Sequence, residues 1–187
     1  MCDHIECNGI DHPRRRFLAG AAGLVTAGLA APLRSLAFAD STRALDLFHT
    51  HTGDRLSVVY FADGDYRPDG LNKVNRFLRD FRTEDLHPID PQVLDILYDL
   101  RAMTAGNGEY HIVSAYRSPK TNAMLRSKSS GVAKKSLHMQ GMAIDVRLPG
   151  YDTARLRDAA IDLQRGGVGY YRDSNFVHVD TGRVRRW

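Results

Sequence analysis

Cysteine is almost missing from this chain. Its 187 residues include two, Cys2 and Cys7, both ahead of residue 40. Beyond that point there are no thiols for a disulfide framework and no thiolates for a closed structural metal site. Long apolar runs are missing as well. The most apolar stretch, "LAGAAGLVTAGLAAPL", is too short and too weakly hydrophobic for a membrane span. No internal repeat, low-complexity tract or interdomain linker is present. Nor does charge of one sign dominate. A formal net charge of +4 suits an anionic polymer. However, no basic platform interleaved with aromatics accompanies it, which argues against nucleic acid.

The N-terminus reads as an export signal. "PRRRFLAG" places Arg14, Arg15 and Arg16 directly before Phe17 and Leu18. The apolar run follows and ends in "AFA", with small residues where a signal peptidase reads. Consecutive arginines before Phe-Leu resemble the twin-arginine class of bacterial signals. The expected division is residues 1–39 as a removed signal and residues 40–187 as one domain, large enough for a core of its own. The twin-arginine machinery is then the export partner. The destination is the periplasm, with no stable membrane span left after signal removal.

The remainder alternates between two periodicities. "ALDLFHTHTGDRLSVVYF" reads as two strands around a "HTGD" turn. "ADGDYRPDG" reads as a loop. Leu71, Val74, Phe77, Leu78 and Phe81 share one face of a predicted helix. "IDPQVLDILYDLRAMT" opens with an Asp90 cap and a proline at the first helical position. "EYHIVSAY" is a predicted strand, and "SPKTNAMLRSKS" is a helix capped by Ser118. "MAIDVRL" alternates as a strand. "DTARLRDAAIDLQRG" is a helix stopped by Gly166 and Gly167. "VGYY" and "SNFVHVDTG" are two further strands. The expected class is α+β: a single compact domain with a small antiparallel sheet packed with helices.

Three polar residues stand out against these strands. In "MAIDVRL", Asp145 lies on the face opposite Met142, Ile144, Val146 and Leu148. In "FVHVD", Phe176, His178 and Asp180 share a face opposite Val177 and Val179. His138 precedes the first of these strands in "SLHMQGMAID". Two imidazoles and one carboxylate suit zinc with an open fourth position. Spacing alone is also met by unrelated polar residues, and that alternative stays open at this level.

The motifs narrow it. "SLHMQGMAID" resembles the S-x-H-x-x-G-x-A-x-D motif of zinc-dependent D-Ala-D-Ala peptidases, the group that includes lysostaphin-type enzymes and the hedgehog fold. "SAYRS", with Arg117, resembles the arginine motif that precedes it there. "FVHVD" resembles the segment bearing the last ligand. The twin-arginine signal, "GVAKKS", "GGVGYY" and the "HVDTG…RW" ending resemble the periplasmic murein endopeptidases of the K type. The resemblance implies one Zn²⁺ held by His138, Asp145 and His178, with Arg117 as the oxyanion-stabilising group. It implies Ser136 as a substrate-side hydroxyl, whose alternative is a loop cap. It further implies a hedgehog/D-Ala-D-Ala-peptidase-like fold and hydrolysis of the peptide stems and cross-links of murein. The alternatives are a zinc-stabilised binding module without turnover, or a D,D-carboxypeptidase.

The resemblance breaks at the general base. Asn175 stands where the carboxypeptidases carry glutamate, and Phe176 where lysostaphin-like enzymes carry histidine. Asp180 is the nearest carboxylate, as proton acceptor or as a partner orienting His178; Asp173 is a further candidate. Lys134 and Lys135 read as substrate grips or as a solvated loop. His49 and His51 read as surface residues or a second metal site. Tyr170 and Tyr171 read as core or cleft lining. Gly141 and Ala143 are expected to let backbone and metal approach closely.

Overall fold

The computed structural model describes residues 42–104, 108–129 and 131–187. The expected signal over residues 1–39, with its cysteines and arginines, lies outside the described residues, as does the boundary at residue 40.

The chain enters through a hairpin of β1 (Arg43–His49) and β2 (Arg55–Ala62). Gly53 closes the turn at φ +79°, a conformation that glycine adopts without a Cβ penalty. The expected "ADGDYRPDG" loop is partly ordered. It holds a two-residue strand, β3 (Asp65–Tyr66), and the start of α1 (Pro68–Phe77). α1 ends before Phe81 because Asp80 turns inward. Its carboxylate accepts from the backbone of Arg82 at 3.0 Å and of Ser118 at 2.8 Å, and those bonds replace a further helical turn. α2 (Pro91–Met103) starts as expected, with the Asp90 side chain accepting from Gln92 N–H. It buries Val93, Leu94, Ile96, Leu97 and Leu100, each worth about 1.5–3 kcal/mol of apolar burial.

β4 (Tyr110–Ser114), α3 (Pro119–Lys128) and β5 (Ala143–Arg147) follow, with a 3₁₀ turn at Leu137–Gln140 between the last two. Ser118 caps α3 through Thr121 N–H at 3.2 Å. α4 (Thr153–Asp162) leads into β6 (Gly167–Tyr171), β7 (Phe176–Asp180) and the short β8 (Arg185–Arg186). Gly166 and Gly167 do not terminate α4 as expected, since the helix ends at Asp162. They make room instead: a Cβ at Gly166 would lie 1.7 Å from the Asp180 carbonyl oxygen.

The sheet corrects the expected architecture. It has eight strands in the order β3-β2-β1-β4-β5-β7-β6-β8 and is mixed rather than small and antiparallel. β1 runs parallel to β4, and β6 parallel to β8. Strand alternation reveals faces, not partners. The long connection through α1 and α2 is what permits the β1–β4 crossover. Four α-helices with this sheet keep the α+β class. Ile144, Val146, Val177 and Val179 join Leu94, Leu97 and Leu156 in one apolar core. Helices therefore cover that face of β5 and β7, and the opposite face carries the polar side chains.

Candidate metal centre

β5 and β7 pair antiparallel with Asp145 directly opposite His178 and Ala143 opposite Asp180. Two residues from distant segments therefore meet on one face. The 3₁₀ turn delivers His138 to the same point. Gly141 closes that turn at φ +67°, and a Cβ there would lie 2.2 Å from the Pro88 carbonyl oxygen. The close approach Gly141 permits is thus to the Pro88 backbone rather than to a metal.

The donor atoms are tightly grouped. His178 Nδ1 lies 2.8 Å from Asp145 Oδ1, and His138 Nε2 lies 3.1 Å from His178 Nδ1 and 3.3 Å from Asp145 Oδ1. Ligand bonds of about 2.0–2.2 Å at tetrahedral angles separate donor atoms by about 3.3 Å, so the spacing fits zinc. The outer nitrogens fix the tautomers. His138 Nδ1 faces the Ala115 carbonyl at 2.7 Å, and His178 Nε2 faces Asp180 Oδ2 at 3.0 Å. Assigned as donors there, the neutral rings turn bare nitrogens inward. With both rings neutral, two nitrogen lone pairs and a carboxylate oxygen then converge. Such a set calls for a cation. Among the described residues it is the one His/Cys/Asp/Glu group with metal-holding geometry.

Electrostatics follow from burial and pairing. Burial pushes His138 below the ordinary imidazole range despite Asp145. Burial opposes charge on His178 too, but the carboxylates of Asp145 and Asp180, one beside each ring nitrogen, prevail and raise it. Burial works against ionised Asp145, yet both histidines hold it well below the usual carboxylate range.

Arg117 sits on the segment after β4, whose backbone also serves His138. Arg117 N–H donates to the His138 carbonyl at 3.2 Å. Its guanidinium is buried, and burial pushes it below its ordinary value against the pull of Asp145. One terminal nitrogen makes a long 3.5 Å contact to Ser136 Oγ, and Nε has no partner. A buried donor without a partner is costly unless something arrives to accept it. Ser136 precedes the 3₁₀ turn but makes no side-chain cap bond. Its hydroxyl faces Arg117 instead.

All five residues line one cleft of about 310 Å³, together with Lys135, Tyr171 and Trp187. The family described as peptidoglycan L,D-endopeptidase MepK, of peptidase M15 type, matches residues 37–187. The chain belongs to that family. A peptidoglycan L,D-endopeptidase MepK of Escherichia coli (strain K12) is 40% identical over 178 residues, covering 95% of this chain and 98% of the relative. A probable peptidoglycan L,D-endopeptidase MepK of Haemophilus influenzae (strain Rd) is 37% identical over 182 residues, covering 96% and 98%.

Within this family member, Asp180 is closely held by its neighbours. Asp180 is fully buried and lies beside His178 Nε2, the nitrogen away from the donor triangle. Its Oδ1 accepts from Gly167 N–H at 3.0 Å and Gly182 N–H at 2.9 Å. Arg185 bonds both oxygens, at 2.9 and 2.6 Å. Burial alone raises a carboxylate, but these bonds, His178's foremost, hold Asp180 well below its usual range. Every lone pair is engaged, so the arrangement favours orientation of His178 over proton abstraction. Asp173 is exposed and does not line the cleft. Asn175 turns away to accept from Thr153. Among the described residues lining the cleft, Asp145 carries the single carboxylate.

Other expectations resolve individually. Lys135 lines the cleft and Lys134 does not. Tyr171 lines it, stacked on Phe176 at 4.5 Å. His49 is buried rather than superficial, its Nδ1 accepting from the backbone of His51 and Thr52. Sequence reading missed Arg185 and Trp187, which line the cleft. Their signal was the spacing of Gly167 and Gly169: Gly169 lies opposite His178, and Gly167 N–H donates to the Asp180 carboxylate.

Proposed function

We propose that this protein is an exported zinc endopeptidase of the cell wall that cuts the L,D type of murein cross-link. The observation that carries the reading is the convergence of His138 Nε2, Asp145 Oδ1 and His178 Nδ1 within 3.3 Å of one another, in a cleft beside a buried guanidinium whose Nε has no partner. The family supports the substrate class, since both relatives bear the L,D-endopeptidase name. The fold is read as hedgehog/D-Ala-D-Ala-peptidase-like on the same grounds.

In this reading His138, Asp145 and His178 hold one Zn²⁺. When bound, the ion supplies Lewis-acid polarisation of the peptide carbonyl and a more acidic water. The chain's own residues do the rest. Asp180 keeps the proton of His178 on Nε2, so that Nδ1 remains a ligand. Arg117 aims a fixed positive charge at the carbonyl oxygen, where negative charge develops during attack. Ser136 steadies Arg117 and meets the substrate backbone. The apolar face behind β5 and β7 keeps these groups from shifting.

The test is digestion of purified murein. Cross-linked dimers joined through L,D bonds are expected to disappear, and a chelator is expected to stop their loss. A second reading, a zinc-stabilised binding module, draws on Asp145, itself a ligand, being the one Asp or Glu among the described residues lining the cleft. Murein that is bound but uncut by zinc-loaded protein selects that reading. Loss of D,D-linked dimers alone contradicts the L,D assignment.

Export is proposed to use the twin-arginine route to the periplasm. Arg14→Lys combined with Arg15→Lys is expected to leave the protein in the cytoplasm, as read by cell fractionation. Normal arrival in the periplasm rules this route out.

A further inference from the structure

We infer that β8 is a working part of the metal centre: Arg185 is a positioning residue that aims Asp180 at His178, and the Trp187 indole covers the pair. This rests on the proposed zinc site.

The observation begins on β6. Gly167 pairs with Arg185 on one side, while Gly169 pairs with His178 on the other. Both glycines lie on the site face, two residues apart. A Cβ at Gly167 would lie 2.3 Å from Arg185 Nη1 and 2.5 Å from Asp180 Oδ2. One at Gly169 would lie 2.7 Å from Trp187 Cε2. The absent side chains leave a trough across β6. Through it, Arg185 of β8 and Trp187 just after it reach β7, one strand further in.

Arg185 uses the trough to grip Asp180 with both terminal nitrogens. A bidentate fork fixes the plane of a carboxylate as well as its position. Asp180 Oδ2 is thereby aimed at His178 Nε2, 3.0 Å away. Trp187 lies over the Arg185 guanidinium at 4.9 Å and beside the His178 ring at 5.2 Å. Its Nε1–H donates to the Tyr171 hydroxyl at 3.1 Å, which pins the indole at the cleft rim.

Zinc affinity of the full-length protein, measured by competition with a fluorescent chelator, tests this. Arg185→Met is expected to weaken binding about 10–100-fold, the range for partners that orient a ligand. Arg185→Lys keeps the charge but loses the fork, and is expected to weaken binding nearly as much. Gly167→Ala keeps Arg185 but fills the trough, so it decides the matter should Arg185→Met fail to fold. The His178 Nε2–H proton signal in NMR is expected to shift upfield in each folded variant, which general destabilisation alone does not produce. Wild-type protein that binds no zinc overturns the proposed function and this inference with it. Tight wild-type binding that Arg185→Met and Gly167→Ala leave unchanged, with an unmoved Nε2–H signal, overturns this inference alone. Full affinity in Arg185→Lys overturns the role of the fork.

Discussion

Replacing His138 or His178 with alanine is expected to abolish stoichiometric zinc binding and lower cross-link cleavage by about 10³-fold or more. Each histidine supplies one of three donors that lie 2.8–3.3 Å apart. Two remaining donors cannot hold a tetrahedral ion with the same geometry. The chemistry lost is several kcal/mol of charge stabilisation, and each 1.36 kcal/mol is a factor of ten in rate. The fold itself is expected to survive, because the apolar faces of β5 and β7 pack independently of the ligands. Metal analysis and circular dichroism on the same preparations separate the two effects. Near-stoichiometric tight zinc in both variants removes the ligand assignment.

Arg117→Ala is expected to keep zinc and lose turnover. The predicted loss is about 2.7–4 kcal/mol, or about 10²–10³-fold in kcat, as for other oxyanion donors. The argument rests on position and burial. The Arg117 backbone bonds the His138 carbonyl, while the guanidinium has a long Ser136 contact and an unpartnered Nε. KM is expected to move less than kcat, because the charge that Arg117 meets develops during attack. Arg117→Lys is expected to recover little, since a point charge on a flexible stem does not reproduce the fixed guanidinium. Turnover on murein cross-links that survives Arg117→Ala shows that another group holds the oxygen.

The strands bearing Asp145 and His178 were legible because their side chains alternate between an apolar face and a polar face, and alternation put both residues opposite valine and isoleucine. The caps at Asp90 and Ser118 were legible because each is a polar residue directly before a proline. Pairing direction was not legible: the parallel contacts of β1 with β4 and β6 with β8 join segments with no local signal between them. β3 and β8 are two residues long, too short to show a period. The early end of α1 depends on Asp80 reaching Ser118, 38 positions on. The engagement of Asp180 was hidden for the same reason. Nothing local to "HVD" shows that Arg185 and the amides of Gly167 and Gly182 fill its lone pairs.

The most direct measurement is anomalous diffraction at the zinc edge from crystals of the protein purified with its metal. The account predicts one peak about 2.0–2.2 Å from His138 Nε2, Asp145 Oδ1 and His178 Nδ1, with Asp180 and Arg185 outside ligand distance. A stoichiometric zinc peak elsewhere in the molecule, or zinc held by Asp180 in place of Asp145, contradicts it.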